Sequence, residues 1–113
     1  MTRLTADFWV QAYLTRLRLA DIPAFVVARG DATAGAVLVK SNTLDGRAVS
    51  YQRRTDLSSG ASAWMVLEDG PEADVDAAIA RQRSFDPDLW VIEVEDRAGR
   101  TLLEQDGLAG DSP

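Results

Sequence analysis

Apolar runs alternate with short polar breaks along the chain, and the densest runs lie between Ala24 and Arg54. Ala24–Arg29, Gly35–Ser41 and Arg47–Arg53 read as three consecutive strands, separated by turn-forming segments at 30–35 and 42–46. Asp45-Gly46 is a hairpin signal, because both residues tolerate positive φ. In the third run Arg47, Val49, Tyr51 and Arg53 alternate with Ala48, Ser50 and Gln52. The second run sets Val37 and Val39 against Leu38, with Lys40 at its end. A strand apolar on both faces is expected at the centre of a sheet, covered on both sides.

The flanking patterns are helical at two places. Thr5 is placed to cap a helix running to about Ala20, with Asp7 in its first turn, Arg16 and Arg18 near its end, and Pro23 as a stop. Trp9, Val10, Tyr13, Leu14, Leu17 and Ala20 form one broad apolar face, with Phe8, Ala12 and Leu19 to one side. An arc this wide is expected to be buried between the sheet and the rest of the domain; the alternative is that Phe8 and Leu19 touch another subunit. After a loop over 55–60, Ala61–Glu68 reads as a fourth strand, with Ala63, Met65 and Leu67 opposite Trp64 and Val66. Pro71 opens a second helix that carries a narrow stripe of Val75, Ala78, Ile79 and Gln82. It ends near Ser84, with Phe85 expected beneath it and Pro87 beyond.

Leu89–Glu95 is a fifth strand, with Trp90, Ile92 and Val94 on one face and Leu89, Val91, Glu93 and Glu95 on the other. Arg100–Glu104 can return as a short edge strand. The expected fold is α+β: a mainly antiparallel sheet of five or six strands with two helices on one face, in the order α-β-β-β-β-α-β(-β). Residues 1–104 are expected to form one globular domain, and 105–113 a disordered acidic tail.

Composition narrows the chemistry. A chain of 113 residues is sized for one domain and buries roughly 65% of its unfolded surface. There is no cysteine and no histidine. That removes disulfides, thiolate metal sites, the cysteine nucleophile and the commonest general base. No apolar run is long enough for a membrane helix and no signal-peptide pattern opens the chain, so a soluble cytoplasmic protein is the expectation. A net charge of −6 argues against nucleic-acid binding. The charge is uneven: residues 1–67 hold 8 basic and 5 acidic side chains, residues 68–113 hold 4 and 13. A solvated acidic C-terminal half is the expected reading; the sharper one is a bipolar molecule whose self-complementary surfaces steer assembly.

Two segments, RLRLADIPAFVVARGDATAGAVLVK from Arg16 and ARQRSFDPDLWVIEVEDRAGR from Ala80, resemble a family of small bacterial proteins known as domain of unknown function 1491. The resemblance runs from about Arg3 to Glu104. It implies a soluble single-domain bacterial protein and carries no activity, cofactor or site with it.

The remaining motifs are weighed on their residues. Gly30 and Gly35 have the spacing of a phosphate loop, but Ala36 stands where its lysine belongs and a strand follows instead of a helix. A hairpin turn is the expected use of these glycines. Arg29-Gly30-Asp31 spells an integrin-type tripeptide, read here as coincidence. Arg29 and Lys40 flank the turn, and either can join Arg81 or Arg83 at a helix end to hold an anion. Asp86, Asp88, Glu93 and Glu95 form the densest carboxylate group. Asp86 and Asp88 are weak candidates for Mg²⁺ or Ca²⁺ and suit backbone capping better. Glu93 and Glu95 lie roughly 7 Å apart along a strand face, a spacing compatible with paired-carboxylate catalysis. The expected function is a small non-enzymatic module, without cofactor, that binds a protein partner or itself, with Arg29, Lys40, Arg81 and Trp90 as its recognition patch. The alternative is a binder of a small anionic metabolite or nucleotide through the same cations. A carboxylate- or metal-based enzyme comes third.

Overall fold

The structure, a computed structural model, describes residues 4–55 and 57–105. Its elements are α1 (Ala6–Leu19), β1 (Ala24–Ala28), β2 (Val37–Asn42), β3 (Arg47–Thr55), β4 (Ser62–Pro71), α2 (Glu72–Phe85) and β5 (Trp90–Glu95). The α+β class, the two helices and the element order agree with the sequence pattern. Thr5 caps α1 as expected, its hydroxyl accepting from the Phe8 N–H at 3.2 Å.

Sheet order is β1-β5-β2-β3-β4. The β2, β3 and β4 strands form an antiparallel meander, and β5 runs antiparallel to β1 but parallel to β2. The sheet is therefore mixed, and the hairpin expected between β1 and β2 does not exist. The last strand enters between them. Val37, Leu38, Val39 and Lys40 face Trp90, Val91, Ile92 and Glu93 in register. This places the two most continuously apolar strands side by side in the middle, where both faces are covered.

The helices lie on opposite faces of the sheet, not on one. The α1 side buries Trp9, Val10, Tyr13 and Leu17 against Val39, Trp90, Ile92 and Val94. The α2 side buries Val75 and Ile79 against Leu38, Ala48, Leu89 and Val91. Alternation in β2 and β5 explains the split, since each strand sends apolar side chains both ways.

Two further segments depart from expectation. Arg100–Glu104 is not a strand. Leu102 turns the chain with φ 60°, Leu103 packs into the α1 core, and the Tyr13 hydroxyl donates to the Thr101 carbonyl at 2.8 Å. The segment closes over α1 instead of lengthening the sheet. Phe85 is exposed at the end of α2, because it falls to the side of the buried Val75–Ala78–Ile79 stripe. Of the tail expected over 105–113, residues 106–113 lie outside the described residues, as does Asp56 in the loop after β3. Among the described residues no helix is long and apolar enough to cross a membrane.

Candidate functional site

The candidate residues separate into three places. Lys40 points to the α2 face and is buried, at 4% exposure. Its ammonium donates to Glu72 at 2.7 Å and lies 2.8 Å from Asp76 and 3.3 Å from Glu93. The Asn42 amide donates to Glu72 at 3.3 Å and to Glu93 at 3.0 Å, closing the group. Local sequence explains the geometry. Glu72 and Asp76 are one turn apart at the start of α2, and Glu93 is the cross-strand neighbour of Lys40. Burial alone pulls the lysine pKa down. Hydrogen bonds to Asp76 and Glu72, and the charges of Glu93 and Asp76, outweigh it and hold the group above the ordinary lysine range. A lysine held protonated is neither nucleophile nor base at neutral pH. It is also already paired with three carboxylates, so it has no capacity for an external anion.

Arg29 and Trp90 do come together. The guanidinium lies 5.0 Å from the Trp90 ring centroid and 3.9 Å from an Asp7 oxygen, and it is largely exposed. Trp90 itself is fully buried, and its indole N–H donates to the Asp31 carbonyl at 2.8 Å. The 30–36 loop is the reason. Asp31 N–H donates to the Asp88 carbonyl at 2.9 Å, and Trp90 N–H donates to Ala36 at 2.8 Å. A Cβ at Gly30 or Gly35 would overlap that Asp88 carbonyl. The glycine pair thus lets the loop close over the start of β5, not form a hairpin turn. The same loop supplies the Thr33 and Ala32 carbonyls that accept from the Ala6 and Asp7 N–H groups. These donors at the start of α1 are consumed internally.

Arg81 is exposed on α2, away from Lys40, which sits at the other end of that helix. The four residues of the expected recognition patch therefore do not form one patch, and no Arg29–Lys40–Arg81 anion cluster is assembled. Lys40 and Trp90 project to opposite faces of the sheet, Trp90 into the α1 core and Lys40 toward the start of α2. Asp86 accepts from the Asp88 N–H at 3.2 Å, the capping role its position suggested. Glu93 is drawn into the Lys40 group, away from pairing with Glu95. Among the described residues no group of three or more carboxylates is arranged to hold a metal.

The sequence reading passed over the outer edge of β4. This strand is the last in the sheet, and among the described residues no strand pairs with its outer side. It is ten residues long, and Ser62–Leu67 carries no charge. Met65 and Val66 are each more than half exposed, on opposite faces. An uncharged run ending a sheet was the available signal, but edge position is not visible in one sequence. On α1, Phe8 and Leu19 are exposed, at 60% and 81%, not buried in the domain, and their spacing of eleven residues puts them on one side of the helix.

Residues 4–104 match the family model described as protein of unknown function (DUF1491). The chain belongs to the DUF1491 family. Its similarity extends to solved DUF1491 structures. A crystal structure of a family protein from Caulobacter crescentus CB15 is 39% identical, with TM-score 0.79, over 90% of this chain and 94% of that one. A nuclear magnetic resonance structure of a DUF1491 protein from the same organism is 40% identical, with TM-score 0.79, over 89% and 93%. The protein Atu0922 from A. tumefaciens, solved in solution, is 28% identical, with TM-score 0.71, over 83% and 86%. No curated protein matches the sequence. DUF1491 membership accounts for the fold and brings no activity with it.

Proposed function

We propose that this DUF1491 protein is a small non-enzymatic module that binds another protein chain by adding a strand to the outer edge of β4. The observation that carries the reading is the outer edge of β4, on which no strand pairs among the described residues, with its uncharged Ser62–Leu67 run and exposed Met65 and Val66. Soluble proteins ordinarily blunt such an edge with charge, proline or a bulge, because its unpaired backbone groups template another strand. Here those devices gather toward the α2 end of β4, in the bulge at Leu67, the charges of Glu68 and Asp69, and Pro71, whereas the stretch from Val66 back to Ser62 is regular and uncharged. The chemistry elsewhere is consistent with a binding role: the buried lysine is protonated and paired, and the neighbouring carboxylates are engaged with it.

The first partner to test is a second copy. Sedimentation velocity across a concentration series should show reversible dimers of the wild-type protein, and Val66→Lys should remain monomeric with its melting temperature nearly unchanged. A wild-type protein that stays monomeric to millimolar concentration removes self-association. If Val66→Lys then recovers the same proteins from a lysate of the source cell as wild type does, edge binding is removed as well. Phe8→Asp is the control for the α1 surface: if it abolishes the dimer and Val66→Lys does not, the interface lies on α1.

A further inference from the structure

A cleft of about 490 Å³ opens between the start of α1, the 30–36 loop and the far ends of β3 and β4. It is within the size range of small-molecule sites, about 300–1,000 Å³. Trp9 and Trp64 contribute its aromatic wall, their ring centroids 5.6 Å apart and tilted by 35°. Val37 adds apolar surface, and Thr33 and Ser62 bring hydroxyl groups. Among the described residues lining the cleft, Arg53 is the one that carries a charge.

A second observation points to the same wall. Trp9 is 6% exposed, and its indole N–H has no hydrogen-bond partner. Folded proteins seldom leave a buried donor unpaired. The other indole of the core that reaches this loop, Trp90, is paired with Asp31 at 2.8 Å.

We infer that this cleft binds a planar aromatic carboxylate of one or two rings. The indoles favour a flat apolar body through offset and edge-to-face contacts. A guanidinium matches a carboxylate in a two-bond geometry that a neutral amide cannot reproduce. A chain of net charge −6 disfavours polyphosphates. The start of α1 contributes no anion site of its own, because the Ala6 and Asp7 N–H groups are taken by Thr33 and Ala32. The cleft shares Ser62 and Trp64 with the β4 strand but not Met65 or Val66, and its ligand contacts are side-chain ones, whereas strand addition uses the backbone edge.

The test is a titration of isotope-labelled full-length protein with 1-naphthoate and, in parallel, its neutral analogue 1-naphthamide, followed by nuclear magnetic resonance. Each tryptophan gives its own indole N–H signal. The Trp9 and Trp64 signals should move with 1-naphthoate while the Trp90 signal stays. The acid should bind about tenfold more tightly than the amide, and Arg53→Gln should abolish that preference while amide binding persists. Trp64→Ala should weaken both probes. No shift up to millimolar probe overturns the inference, as do equal affinities for acid and amide, or shifts centred on Trp90. The acid–amide comparison in the wild-type protein decides the matter even if Arg53→Gln fails to fold.

Discussion

Helix α1 rests on an almost unbroken apolar surface, whereas α2 meets its side of the sheet through a small apolar cluster and a buried lysine. On the first side Tyr13, Leu17, Val39, Trp90, Ile92 and Val94 pack together, with one internal hydroxyl bond from Tyr13 to Thr101. On the second side the cluster of Leu38, Ala48, Val75, Ile79, Leu89 and Val91 covers only part of the helix. The start of α2 is held instead by Lys40 with Glu72, Asp76 and Glu93. Apolar burial is insensitive to register in its chemistry and tolerant of volume-conserving change. An ion group fixes one docking position but is costly to leave half-made. The DUF1491 fold thus uses bulk on one side and specificity on the other.

Substitutions should separate the two modes. Leu17→Ala empties a fully buried site on the α1 side and should cost about 4 kcal/mol, read by urea unfolding. Lys40→Met removes the cation and leaves the carboxylates facing one another. It should cost about 3 kcal/mol, at the low end for broken buried pairs because Glu72 and Asp76 can rehydrate. Adding Glu93→Gln to Lys40→Met should restore part of that loss, since Glu93 is the least exposed of the three carboxylates. A double variant no more stable than the single would show that Glu93 is not part of the charge balance. Tyr13→Phe should cost about 1.5 kcal/mol by leaving the Thr101 carbonyl unpaired. Arg29→Ala, losing an exposed contact over Trp90, should cost about 0.5 kcal/mol.

Alkaline pH probes both sides at once. Burial, with the charge of Glu104 adding to it, raises Tyr13 above its ordinary value. Lys40 is also raised, its carboxylate partners outweighing burial. In each case the folded state keeps a proton that the unfolded state releases. Stability should therefore be level up to about pH 10, where free tyrosine and lysine titrate, and fall above it. Tyr13→Phe should remove one part of the alkaline loss and Lys40→Met the other. An alkaline slope unchanged in both variants would show that other groups carry it.

Much of this was legible in the chain. The period of Trp9, Tyr13 and Leu17 gave α1, Thr5 marked its start, and the two-sided apolar character of 37–39 put β2 at the centre of the sheet. The Lys40 group was half legible: Glu72 and Asp76 stand one turn apart, but nothing local says that Lys40 lies beneath them. Arg29 and Trp90 were both singled out, while their contact depends on β5 entering the sheet next to β1.

Local pattern determined the elements, their order and the apolar faces, because helix and strand periods are written in neighbouring residues. Only the tertiary structure decided that β5 lies between β1 and β2, that the helices take opposite faces, and that β4 is left at the edge. Strand pairing joins residues some fifty positions apart, such as Lys40 and Glu93, through backbone groups that every residue carries. Sequence encodes that choice only in the sum of the packing, so the cleft beside Trp9 and the open edge of β4 become visible once the chain is folded.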